Sequence, residues 1–238
     1  MKKIMVVLLC LFNFIPIVSY CEEARDQDKE TVDETVDTEE ESDTSSEINL
    51  AEQAKSAIMI EASTGKIIYE KNANESMPMA SMTKMMTLLL IMENIRDGNL
   101  TWDEKITTSE YAASMGGSQI FLQPGEIMTV EDLVKGICIG SGNDAAVAMA
   151  ERIGGNEEGF VKMMNDKVKE LGLKNTNFVN ACGLDADNHY SSAYDMVIIA
   201  RELVKYDKIL EYTGTYEDYL RKDSTNPFWL VNTNKVVY

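Results

Sequence analysis

The sequence predicts an α+β protein in which a helical lobe is packed on an antiparallel sheet. Three observations lead there. Two β-prone runs, Ala57-Ile-Met-Ile60 and Lys66-Ile-Ile-Tyr69, flank a turn that ends at Gly65 and read as a hairpin. A succession of apolar-periodic segments from Ser81 to about Lys205 reads as helices, and strand tendency returns only at Phe228-Trp-Leu-Val231. Strands and helices segregated along the chain pack as separate layers rather than as alternating βαβ units.

The 238 residues, 45% of them hydrophobic, suffice for one large domain or two small ones. The net charge of −18 is concentrated near the start, where Glu22 to Glu47 holds about thirteen acids against two basic residues. Such a block repels itself and has too little apolar surface to fold, so residues 20–49 read as an acidic disordered tether. An acidic chain is also a poor binder of nucleic acid, whose affinity comes from phosphates neutralised by Lys and Arg.

Before the tether, Lys2 and Lys3 precede the apolar run Ile4 to Val18 and then small Ser19, the order of a secretory signal peptide over residues 1–19. Export is expected, with the folded part, residues 50–238, in the cell wall or at the outer face of the cytoplasmic membrane. Cys21 would instead mark a lipoprotein, although Tyr20 is bulky for such a cleavage site; a retained anchor is the third reading. Of the four cysteines, Cys138 in an apolar helix and Cys182 in a loop remain in the folded part and read as plain thiols.

Taken in order, the hairpin comes first. Pro78-Met-Ala-Ser81-Met-Thr-Lys84 then reads as a loop entering a helix that runs to Arg96 and stops at Asp97-Gly98. This helix is apolar nearly all round and is expected in the core, its methionines filling gaps rather than binding a ligand. Trp102 to Thr108 and Gly116-Gly-Ser118 read as connecting segments. Thr129-Val-Glu-Asp132 is a capping box, with Asp for Glu, opening a helix over Leu133–Ile139. Gly140-Ser-Gly142 interrupts it, and Asn143 or Asp144 opens an alanine-rich helix to Arg152. Further helices are expected over 156–171 and from Ser192 to about Lys205, with a loop through Phe178–Asp185 between them. The final strand is expected to break off near Val236-Val237.

Two stretches carry chemistry. On a helix, Ser81 and Lys84 share a face, so a lysine stripped of water can deprotonate the neighbouring hydroxyl. Ser63 and Lys66 have the same spacing, but in a turn and a strand, where residues three apart point to opposite faces. Ser141-Gly-Asn143 can project a hydroxyl and an amide the same way from a tight turn; a simple helix cap is the plainer reading of it. His189 is the single histidine. That rules out a two-histidine zinc site, and the polar loop around it reads as exposed, with the histidine unemployed. No cofactor or metal is expected.

Ser81-x-x-Lys84 followed about sixty residues later by Ser141-Gly142-Asn143 resembles two of the three signature elements of penicillin-binding proteins. Gly117-Ser-Gln-Ile-Phe-Leu122, Gly140 to Met149 and Tyr190-Ser-Ser-Ala-Tyr-Asp-Met196 extend the resemblance, specifically toward low-molecular-mass D-alanyl-D-alanine carboxypeptidases, over about Ala54 to Asn234. The resemblance implies a β-lactamase/transpeptidase-like fold and a serine peptidase that removes the terminal D-alanine from peptidoglycan stem peptides. It also implies acylation by β-lactam antibiotics. By position, Ser81 would be the nucleophile, Lys84 its base, Ser141 a proton relay to the leaving amine, and Asn143 a substrate-binding amide that also orients Lys84. The Ser81 backbone N–H would be one oxyanion donor.

The third element, K-T-G, is absent; Tyr212-Thr-Gly214 lacks the lysine. The sheet is therefore expected to be incomplete at the C-terminus and the chain to be a fragment, handling substrate poorly for want of the strand that would hold the substrate carboxylate. Membrane contact is expected only through the N-terminal segment or a missing C-terminal anchor. A class A β-lactamase-like hydrolase and a non-catalytic truncated paralogue are the alternatives. The former commonly has S-D-N where this chain has S-G-N.

Overall fold

The computed structural model describes residues 5–10, 17–20 and 50–237. Strands β1 (Met5–Cys10), β2 (Ile17–Tyr20), β3 (Ala57–Glu61) and β4 (Ile67–Lys71) form one antiparallel sheet in the order β2-β1-β3-β4, so the apolar run read as a secretory leader supplies two of its strands. The acidic run at 21–49 lies outside the described residues. The predicted hairpin is β3–β4, closed by a turn in which the Glu61 carboxylate accepts the N–H groups of Ser63 (3.1 Å) and Thr64 (2.7 Å). Ser63 Oγ donates to the same carboxylate and Lys66 is exposed, so this serine–lysine spacing builds a turn and nothing more.

The helices begin after a single 3-10 turn, Ala80–Thr83, which runs into α1 (Lys84–Arg96). As the all-round apolar pattern predicts, α1 is buried from Met86 through Met92. Three elements escaped the sequence reading next: β5 (Lys105–Thr107), α2 (Glu110–Ala113) and β6 (Ile127–Thr129). Strand β5 pairs with β6, each only three residues long and too brief for alternation to show. Helix α3 (Val130–Gly140) starts where the capping box places it, Thr129 accepting the Asp132 N–H at 3.1 Å.

Helix α4 (Asn143–Gly154) is the centre of the lobe. Asn143 through Ala150 are all buried, and α1, α3 and α5 (Glu157–Glu170) pack around it. Its alanines let those neighbours come close, and at the α4–α5 corner a Cβ on Gly154 would lie 2.3 Å from the Phe160 nitrogen. Helix α6 (Ala193–Leu203), capped by Ser192, lies between the sheet and α1, and its Arg201 ties down the hairpin turn through the carbonyls of Ala62 (2.8 Å) and Ser63 (3.0 Å).

Helix α7 (Asp207–Thr213) and strand β7 (Glu217–Leu220) were also not foreseen; β7 pairs with the predicted strand β8 (Phe228–Val231) on α3. The Val236-Val237 run expected as a broken strand is a 3-10 turn, Lys235–Val237. One apolar core joins all these helices. Cys138 and Cys182 are free thiols, and burial pushes Cys138 up to about 12. Among the described residues, no helix is long and apolar enough to cross a membrane.

Candidate active site

Ser81 sits in the 3-10 turn, not in the first turn of an α-helix as its spacing predicted. The difference favours the pair. With three residues per turn, positions i and i+3 eclipse, so the lysine that opens α1 stands directly beside the serine. The Lys84 Nζ lies 3.0 Å from Ser81 Oγ. Ala80 enters the turn with φ +46°, a left-handed conformation costly for a residue bearing a Cβ, and this presents Ser81 half-buried at the turn's edge.

Lys84 is 3% exposed. Desolvation pulls its ammonium down from 10.5 to about 8, with the nearby Cys182 and Asp144 side chains partly opposing. Near neutrality the free base is then far more accessible than in an ordinary lysine. A base-dependent acylation should climb with pH through about 8 and level off above it. A rate that stays flat between about pH 6 and 10 would remove Lys84 as the base.

Lys84's second partner is a group that spacing did not reveal: the Cys182 carbonyl, 2.7 Å from Nζ. It is carried by a segment that side chains hold at nearly every residue. Asn165 brackets Phe178, donating to its carbonyl (2.8 Å) and accepting its N–H (2.9 Å). Glu157 accepts the Ala181 N–H (2.9 Å), and Thr87 donates to the Ala181 carbonyl (2.6 Å). Asn180 Oδ1 accepts the N–H groups of Cys182 (3.2 Å) and Gly183 (2.6 Å). Gly183, at φ +89°, then lies flat against the nucleophile turn.

His189 departs from its expected place. It is buried, because the loop folds back so that Tyr190 pairs with Asn177 and Ser191 with Met77. Desolvation lowers its pKa below the ordinary 6.5, with Asp185 opposing. Since the folded state resists that proton, the stability involved is present above pH 6.5 and is lost as pH falls through the lower folded value.

The second predicted stretch bridges α3 and α4. Ser141 caps α3 in the left-handed conformation, φ +55°, and is half-buried. Asn143 does not cap α4; that position belongs to Gly142, without a side-chain bond. Its backbone N–H reaches the Ser118 carbonyl (2.7 Å) and its Nδ2 the Gly116 carbonyl (2.7 Å). The buried Oδ1 has no hydrogen-bond partner among the described residues. Thus Ser81, Lys84 and the Cys182 carbonyl meet directly, and the Asp144 charge places the start of α4 within electrostatic reach of Lys84.

The 116–122 segment beside Asn143 is clamped from two sides. Asp144 accepts the N–H groups of Ile120 (3.1 Å) and Leu122 (3.0 Å). Arg221, just past β7, donates to the carbonyls of Ile120 (3.0 Å) and Phe121 (3.3 Å) and forms an ion pair with Glu126 (2.5 Å). Because that guanidinium is largely buried, Arg221→Ala strands several acceptors at once. It is expected to cost about 2 kcal/mol in urea unfolding, well above the effect of a surface ion pair.

An α+β scaffold bearing a serine beside a desolvated lysine has the form of the serine–lysine hydrolases. The model of one such family, D-alanyl-D-alanine carboxypeptidase, matches residues 39–238, and the chain belongs to that family. It is 62% identical over 188 residues to D-alanyl-D-alanine carboxypeptidase DacF of Bacillus subtilis, a match covering 79% of this chain and 48% of that protein. Penicillin binding protein 5 from Haemophilus influenzae superposes with a TM-score of 0.72 at 32% identity, covering 77% of this chain and 53% of the other. Penicillin-Binding Protein D2 from Listeria monocytogenes, in its cefotaxime-bound form, gives 0.67 at 30% identity, covering 77% and 73%. These neighbours carry the β-lactamase/transpeptidase-like fold. The chain spans about half the length of the curated relatives it matches.

Proposed function

We propose that this protein is a serine-type D-Ala-D-Ala carboxypeptidase that trims peptidoglycan stem peptides through an acyl-enzyme and is acylated by β-lactams in the same way. The observation that carries this reading is Lys84 Nζ, buried and depressed to about 8, standing 3.0 Å from Ser81 Oγ. The relatives' names and the β-lactam-bound neighbour support it.

In this reading free-base Lys84 takes the Ser81 proton as Oγ attacks the carbonyl between the two D-alanines. The Ser81 N–H, at the start of a turn whose first N–H groups have no partner within it, faces the developing oxyanion. Ser141 relays the proton to the departing amine, Asn143 binds the substrate amide, and water then attacks the acyl-enzyme. The Cys182 carbonyl holds Nζ on the Ser81 side throughout. Export is part of this proposal, since the substrate lies outside the cytoplasmic membrane.

The test is to incubate the protein with a peptide ending in D-Ala-D-Ala and measure released D-alanine, then identify the residue labelled by fluorescent penicillin by peptide mapping. Slow release of D-alanine and a persistent label on Ser81 are the expected results. Rapid turnover of the penicillin without a lasting adduct would point to the β-lactamase alternative, and a label on any residue but Ser81 would overturn the mechanism.

A further inference from the structure

His189 plays no part in the mechanism above, yet it is buried and bonded on both ring nitrogens. Nδ1 accepts the Val179 N–H at 3.0 Å, which fixes the proton of the neutral ring on Nε2. Nε2 lies 2.8 Å from Thr83 Oγ1, so the imidazole donates there. The ring is further wedged edge-on to Phe178, with centroids 6.1 Å apart. Thr83 stands between the nucleophile and the lysine in the Ser81-Met-Thr-Lys84 turn. Val179 opens the segment that delivers the Cys182 carbonyl to Lys84 Nζ. A single ring therefore bonds the turn that holds the nucleophile to the strand of backbone that holds its base.

We propose that His189, as the neutral Nε2–H tautomer, is a positioning residue that keeps the 178–183 backbone in register with the nucleophile turn and so keeps Lys84 dry and aimed at Ser81. The inference deepens the mechanism proposed above and rests on it for its functional meaning. The other supports of this segment act differently. Glu157 and Asn165 anchor it to α5, and Thr87 reaches it from further along α1, whereas His189 reaches the 3-10 turn itself. Without it the segment stays attached to α5 and α1 but loses the one side chain that ties it to Thr83 of the turn. Water then reaches the lysine, and the lost desolvation lets its pKa climb back toward the ordinary 10.5.

The chain has one histidine, so a long-range 1H–15N spectrum of the labelled protein shows a single imidazole. The expected pattern at neutral pH is Nε2 protonated and Nδ1 bare; the opposite tautomer, or an imidazolium, would overturn the assignment. Lys84 is then titrated through its side-chain 13Cε and 15Nζ signals, identified by their loss in Lys84→Arg. In His189→Ala and in Thr83→Val its midpoint should move up by about one pH unit, and the double variant should move it no further than His189→Ala does. Thr83→Val keeps the side chain's shape and carries the measurement if His189→Ala folds poorly. A folded Thr83→Val protein with an unmoved Lys84 midpoint, even if less stable, would show His189 to be structural only. None of these readouts uses penicillin or peptide, so a failure of the proposed activity and a failure of this inference are told apart.

Discussion

Ser81→Ala should abolish labelling by fluorescent penicillin, a loss of at least about a thousandfold in acylation rate, with the melting temperature unchanged within a few degrees. The hydroxyl is half-buried and its described hydrogen bond is to Lys84 Nζ, so its removal strands no other buried group. Cys182→Ala is the matched control. Although Cys182 touches the lysine, it does so through a carbonyl that any residue supplies, and burial raises its thiol pKa, away from the reactive thiolate. Labelling should therefore survive Cys182→Ala, and its loss would mean the thiol takes part in the chemistry.

Gly183→Ala is expected to damage both stability and activity without touching any group that reacts. A Cβ at this position would lie 1.9 Å from the Ala80 carbonyl oxygen, 2.4 Å from its carbon and 3.0 Å from the Ser81 nitrogen. The first two are impossible contacts with rigid backbone, and φ +89° adds conformational strain for any residue but glycine. Together these should cost roughly 3 kcal/mol or more in urea unfolding. What folds must hold Ala80-Ser81 or the Cys182 carbonyl out of place, and about 1 Å of misplacement at a reacting centre costs on the order of a hundredfold. Wild-type stability and acylation in Gly183→Ala would show that the close approach is not needed.

Much of the lobe was legible in the sequence because its signals are local. Thr129 before Val-Glu-Asp, Ser192 before an apolar period and the all-round apolar run after Lys84 each specify an element with few residues. Strands β5 to β7 and helices α2 and α7 were not legible as such, since segments of three to seven residues carry too little periodicity and are held by the surfaces they pack on. His189 was misread for a related reason. A polar loop reads as exposed until the bridges Asn177–Tyr190 and Met77–Ser191 fold it over the core.

By itself, the sequence determined the Ser81–Lys84 pair, the turn at Ser141-Gly-Asn143, the helical lobe and the exclusion of a histidine-rich metal site, all of which follow from residue type and short-range spacing. Only the tertiary structure decided that a 3-10 turn, and not an α-turn, stacks Lys84 on Ser81. It also decided that Lys84 is desolvated and points at the Cys182 carbonyl, that Gly183 packs against the nucleophile turn, and that His189 bonds both Val179 and Thr83. The reason is physical: a backbone carbonyl is the same in every residue, and desolvation is a property of what surrounds a side chain. Neither leaves a mark in the order of the amino acids until the chain has folded residues about a hundred positions apart into contact.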